Sequence, residues 1–429
     1  MEGHSPRSWR AVAAALTILV AVGCSSEQAP AEAAGPASPD AEWPQWRGPR
    51  RDGLSTETGL LDRWPDAGPP LAWKASGIGG GFATVSIAGG IIYTAGNIDK
   101  KTVITALDLE GNILWQAANG PAWTKDHPGA RGTPTIDGER LYHESPLGRV
   151  TCLNARSGKE LWAVDILERF DGRNIRWALA ESLLVDGQKV VACPGGEKAT
   201  VVALDKKTGE TLWVCDSPAD EDKPGYTSPI VFDYQGLRHI VTMTAKAAIG
   251  LNAENGKFLW RHPHKTSYDA NIPTPIFHDG RVFICSGYGS GAELLQLQVR
   301  GQEVSVRRLW QQKALDNHHG GVILVDGYLY GSDHKGRWVC LDFETGEVQY
   351  REGGVGKGSL TYADGMLYTY SQGGTAGLVP CTPEGHEVVS QFKLPREGKG
   401  PYWAHPVICG GRLYLRHDDY LYAYDVKAR

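Results

Sequence analysis

Apolar residues come in short runs cut by polar turns, with almost no long stretch at helical spacing. That is the pattern of many short β-strands. One stretch sets the frame: Ala203-Leu204-Asp205-Lys206-Lys207-Thr208-Gly209-Glu210-Thr211-Leu212-Trp213. An apolar run ends in Asp, a polar turn holds a Gly able to take positive φ, and a second apolar run ends in Trp, which predicts strand, tight turn, strand. The unit returns at Asp108…Gly111…Trp115, Asn154…Gly158…Trp162, Asn252…Gly256…Trp260 and Asp342…Gly346…Tyr350, with Trp310 between the last two. Anchors recurring at roughly 50 residues mark a repeat architecture, one supersecondary unit per repeat.

A second marker runs in step: an apolar strand, a two-residue turn ending in Gly, and another apolar strand. It occurs at Gly89-Gly90, Asp137-Gly138, Asp186-Gly187, Gln235-Gly236, Asp279-Gly280, Asp326-Gly327, Asp364-Gly365 and Gly410-Gly411. These are eight hairpin signals. Leu71-Ala72-Trp73 ends like the last strand of a repeat whose earlier strands are missing, whereas Leu413-Tyr414-Leu415 and Tyr420 to Asp425 begin a repeat that lacks its last strand. Pairing the two closes a ring and removes the exposed sheet edges. The sequence thus predicts an all-β, eight-bladed β-propeller over residues 43–429, with an N-terminal strand closing the last blade.

Composition sharpens this in a few places. Glycine supplies 54 of 429 residues, above the usual ~7% and suited to many tight turns. Formal charge is −5 with no Lys/Arg stripe, so nucleic acid is excluded as a partner. The eight cysteines lack C-x-x-C spacing and read as small buried hydrophobes. Adjacent His318 and His319 point to opposite sides if extended, and His262-Pro263-His264 lacks a specific metal spacing, so no metal site is expected.

Residues 1–24 read as an export signal: Arg7 and Arg10, an apolar run from Ala11 to Val22, then Gly23-Cys24. Ala21-Val22-Gly23-Cys24 resembles a bacterial lipobox, which implies lipidation of Cys24. Ala21 stands where Leu is usual, so ordinary cleavage is the alternative. Residues 25–42, rich in Ala, Pro, Ser and Glu, read as a disordered linker. The chain is expected on the periplasmic side of the cell envelope, held to the membrane by its lipid anchor alone.

The pattern Asp-x-x-x-Gly-x-x-x-Trp, as in Asp205 to Trp213, resembles the tryptophan-docking repeat of the pyrroloquinoline-quinone (PQQ) propellers. The resemblance covers roughly residues 43–429 and is strongest in the blades ending at Trp115, Trp162, Trp213 and Trp260. Two branches of that family are relevant: quinoprotein dehydrogenases, and the propeller lipoprotein of the outer-membrane β-barrel assembly machinery. The first implies a quinone between a Trp and a disulfide of adjacent cysteines, Ca²⁺ on carboxylates, and an Asp base. The chain has no adjacent cysteines and no C-x-x-C-H haem motif, and Glu181 and Asp269 are the carboxylates expected near the channel. The reading is therefore a non-catalytic scaffold or binding protein, without cofactor, that holds an envelope protein or a small-molecule ligand. The alternative is a PQQ- and Ca²⁺-dependent dehydrogenase of an alcohol or of a polymer such as polyvinyl alcohol.

In a meander, the longer inter-blade loops share one face, and function favours loops over a rigid scaffold. Counting back from each hairpin turn places Phe82, Arg131, Trp177, Tyr226, Asn271, His318, Lys357 and Trp403 at one height, around the channel mouth on that face. Aromatics, cations and amides in a ring suit a planar or anionic ligand. The alternative is a mouth that is polar because it holds water, with Trp177 and Trp403 plugging it.

Overall fold

Eight four-stranded antiparallel sheets follow one another around a ring in a computed structural model that describes residues 1–3 and 41–428. Blades are numbered here from their innermost strands: Ser86–Ala88, Thr135–Asp137, Leu184–Asp186, Ile230–Tyr234, Ile276–His278, Ile323–Val325, Gly358–Ala363 and Val407–Cys409. Blade 8 takes its fourth strand, Leu71–Ala75, from the start of the fold, where Lys74 pairs with Tyr422 and Ala75 with Leu421. The ring closes as predicted. Among the described residues no helix is long and apolar enough to cross a membrane. The export signal beyond residue 3, Cys24 included, and nearly all of the linker lie outside the described residues.

The repeated motif works between blades. Trp162 of blade 2 donates its indole N–H to Lys206 O of blade 3 at 3.1 Å, and its ring covers Gly209, where a Cβ would stand 2.7 Å from the indole. Gly209 also holds φ of +75°, so any other residue there would be strained as well as clashing. The Asp205 carboxylate fixes that turn by accepting from Lys207 N and Thr208 N at 2.8 and 2.9 Å. Trp73, Trp115, Trp213 and Trp310 dock in the same way on Leu109, Ala155, Ala253 and Phe343 O. Trp73 thereby fastens blade 8 to blade 1. Trp260 departs from the series: blade 5 replaces the glycine turn with a long hairpin, Gly291–Arg300 and Glu303–Gln312. The Trp260 ring lies over Gly250 of its own blade, and its indole nitrogen has no partner among the described residues.

The hairpin signals mark real turns, with one shift of frame. In six blades both turn residues have positive φ, as in Asp326 and Gly327, the pattern of a type I′ turn. In blades 2 and 3 the preceding Asp belongs to the strand and the turn begins at Gly138 or Gly187, so Gly opens the turn.

The segment Trp43-Pro44-Gln45-Trp46-Arg47-Gly48-Pro49 and the residues after it cross the central channel. Trp43 exchanges two backbone bonds with Ile87 of blade 1, Pro44 O accepts from Ile136 N of blade 2, and Ser55 N donates to Tyr362 O of blade 7. Arg51 reaches Ser182 O and Leu183 O of blade 3 at 2.7 and 3.2 Å. The indole of Trp46 donates to Thr274 Oγ1 beside blade 5 at 2.9 Å, and Arg47 donates to Val322 O beside blade 6 at 2.5 Å. Both arginines are buried, and backbone carbonyls take up part of the donor capacity of each, leaving Arg47 Nη1 and Arg51 Nε without a partner among the described residues. One stretch outside the repeats thus plugs the channel and staples six blades.

Candidate functional site

Above this plug, on the face of the inter-blade loops, lies a cavity of about 260 Å³. Six of the eight predicted ring residues line it: Phe82, Arg131, Trp177, Tyr226, His318 and Trp403. Trp403 is central to one wall, with ring centroids 5.0 Å from Phe82, 4.8 Å from His127 and 5.3 Å from His319. Trp177 faces it from the other side, 5.9 Å from both Tyr226 and Tyr268, with the Arg176 guanidinium 5.0 Å over its ring.

Asn271 and Lys357 do not line the cavity. Asn271 is fully buried: its amide donates to Thr244 O and His264 O at 2.8 and 3.0 Å, and its oxygen accepts from Ser286 Oγ at 2.7 Å. It rivets blade 4 to blade 5. Lys357 sits behind the histidines, where burial brings its ammonium down to about 8 against the opposing pull of Asp316.

Sequence reasoning missed Trp46, Arg47, His319 and His405 on the lining. His405 lies two residues beyond Trp403, so the two-residue period of an extended chain puts both toward the channel. The expectation that His318 and His319 face apart is corrected. The segment bends instead of running as a strand, and their Nδ1 atoms meet at 3.2 Å. Trp46 and Arg47 belong to no repeat, so counting along repeats could not find them.

The lining carries Arg47, Arg131, His127, His318, His319 and His405, and no carboxylate or thiol. Burial pushes Arg47 and Arg131 down to about 10, so both stay charged at neutral pH. Burial, then the nearby Lys357, drives His318 down to about 3, and burial, then Arg47, does the same to His405. These imidazoles are neutral at pH 7. Several residues at or beside the cavity hold positive φ without being glycine, among them Arg47, His127, Ala178, Tyr268 and Tyr288. Such strain gathers where surrounding structure fixes a functional geometry.

The residues do not fit a calcium-bound quinone. Glu181 is buried behind the wall, accepting from Cys193 N at 3.0 Å, and burial raises its carboxyl to about 8. Asp269 is paired with Lys246. No group of three His, Cys, Asp or Glu among the described residues is disposed to hold a metal, and His262 and His264 are taken up by Glu293 at 3.0 and 2.8 Å.

The fold and the docked tryptophans define a PQQ-like β-propeller. The family model described as outer membrane protein assembly factor BamB matches residues 100–352, more than half of the chain, and the chain belongs to that family. It is 26% identical over 259 residues to the outer membrane protein assembly factor BamB of Moranella endobia, covering 56% of this chain and 61% of that protein. It is also 26% identical over 193 residues to the quinoprotein alcohol dehydrogenase PedH of Pseudomonas putida, covering 44% of this chain and 30% of that one. The chain therefore spans less than two thirds of the length of either relative. The crystal structure of quinohemoprotein alcohol dehydrogenase from Comamonas testosteroni superposes with a TM-score of 0.64 at 14% identity, over 91% of this chain and 81% of that one, a likeness of fold alone.

Proposed function

We propose that this protein is an exported, envelope-tethered binding propeller, anchored through a lipid on Cys24, whose loop-face cavity captures its partner or ligand without turnover. The observation that carries the reading is the lining itself. Inter-blade loops deliver aromatic and cationic groups to one cavity, and none of the carboxylates and paired cysteines of quinone oxidation chemistry stands there. The relationship to an outer membrane assembly factor supports an envelope protein as partner, and the Gly23-Cys24 junction supports the anchor. A related alcohol dehydrogenase keeps the quinone-dependent reading as the rival, although fold resemblance is a poor guide to chemistry.

The test separates the two. Purified protein incubated with PQQ and Ca²⁺, then desalted, is expected to retain no quinone absorbance and to reduce no dye when given an alcohol. The double variant Trp177→Ala/Trp403→Ala should keep its melt and lose capture of a partner from solubilised envelopes. Tight quinone binding, with alcohol-driven dye reduction that the double variant abolishes, would overturn the binding-protein reading.

A further inference from the structure

At the floor of the cavity, hydrogen-bonding capacity is left over. Arg47 is only 3% exposed. Its Nε donates to Arg51 O at 3.3 Å, and its Nη2 to Asp52 O and Val322 O at 2.9 and 2.5 Å. Its Nη1 has no partner among the described residues. That nitrogen lies against Gly321, where a Cβ would come within 2.2 Å of it, and close to His405. Gly321, His405 and Arg47 all line the cavity. His319, hydrogen-bonded through its backbone carbonyl to His405 Nε2 at 2.9 Å, keeps its own Nε2 buried and unpaired. A buried donor without an acceptor costs about 1–3 kcal/mol, more when charged. Here a charged and a neutral nitrogen are both left so, beside a cavity that holds no protein anion.

We propose that the cavity floor is a carboxylate subsite: Arg47 and His319 bind the anionic head of a small organic acid whose flat apolar body lies against Trp403 and Phe82. This rests on the reading of the cavity as a binding site and names what it takes. The cation comes from the N-terminal segment and not from a blade, so the subsite is an addition to the propeller repeat. A proton order follows from the hydrogen bonds. An acid at His319 Nε2 requires a proton there, so His319 Nδ1 must accept from His318 Nδ1–H at 3.2 Å. His318 Nε2 then accepts from the Tyr288 hydroxyl at 3.0 Å. Each neutral imidazole carries one proton, and the tyrosine fixes the tautomer of both.

Calorimetric titration of the full chain with 2-naphthoate and with its neutral counterpart 2-naphthalenemethanol tests this. The acid is expected to bind at least about tenfold more tightly, the margin of one charge-assisted hydrogen bond. Arg47→Gln should bring the affinity for the acid down to that for the alcohol. Because Arg47 also staples the plug, a melt accompanies it, and His319→Phe, which leaves the staple bonds in place, should lose the preference as well. Equal affinity of the wild type for acid and alcohol overturns the subsite and leaves the cavity as a binding site. Binding of neither probe overturns the subsite, and capture of an envelope partner by wild type but not by Trp177→Ala/Trp403→Ala then decides the binding reading separately. A preference that survives in both variants overturns the assignment to Arg47 and His319.

Discussion

Trp213 and Trp403 are the same residue set to opposite uses. At the rim, the Trp213 indole N–H is satisfied by Ala253 O of the next blade at 3.2 Å, its face covers Gly256, and only 9% of it is exposed. At the mouth, Trp403 is half-buried, its indole nitrogen reaches no closer than 3.5 Å to Gln372 Oε1, and its ring stands among imidazoles. One surface is complete within the protein. The other keeps polar and aromatic capacity unspent, and that difference separates a residue closed into the packing from one left open on a cavity in this fold.

The comparison breaks most visibly where rim and mouth share a support. Residues 43–75 provide both the plug under the cavity and the strand that closes blade 8. Deleting residues 25–42 removes, among described contacts, little beyond the bond from Gly89 N to Glu42 at 3.1 Å, and should leave the melt nearly unchanged. Deleting through Trp73 strips the plug and bares the edge of Tyr420–Asp425, and aggregation is expected. Thermal melts and light scattering that cannot tell the two deletions apart would show that neither plug nor closing strand carries the ring.

A narrower cut is Trp213→Ala, which removes a buried indole and leaves a cavity between blades 3 and 4. A loss of about 3–5 kcal/mol is expected by denaturant unfolding. Trp403→Ala, at a half-buried site that no neighbour closes over, should stay within about 1 kcal/mol. Equal losses at the two positions would mean that the mouth is packed as tightly as the rim.

Much of the rim was legible in the sequence because it repeats. Asp205, Gly209 and Trp162 do one job with fixed spacing, and that job recurs around the ring. The split of blade 8 was legible for the same reason, since half a repeat at each end has one way to be completed. The mouth was legible only as a height. Counting found Phe82, Arg131, Trp177, Tyr226, His318 and Trp403, and it also picked Asn271, whose inward direction ends in a bond to Ser286. Whether a side chain reaches the cavity or a neighbouring backbone depends on the bend of its loop, which no period encodes. The plug left the fewest signs: Trp46 and Arg47 occur once, and their partners Thr274 and Val322 lie far along the chain.

A last expected effect concerns protonation, which the mouth should feel and the rim should not. His405 is held neutral, its imidazole driven to about 3 by burial and then by Arg47, whereas in the unfolded chain it titrates near 6.5. As pH falls below about 6.5 the unfolded state takes up a proton that the folded state refuses, so stability present above that pH is lost progressively toward pH 3. At pH 5 this amounts to about 2 kcal/mol for one such group. Glu181, raised to about 8 by burial, acts in the opposite sense: its contribution is whole below about 4.5 and declines as pH rises toward 8. Differences from wild type cancel that background. His405→Gln can keep a donor to His319 O and has no proton to gain, so its stability should fall less between pH 7 and pH 5 than that of the wild type. Trp213→Ala should run parallel to wild type, lower at every pH. Three parallel curves would show that the buried imidazole at the mouth does not set the acid limit of the fold.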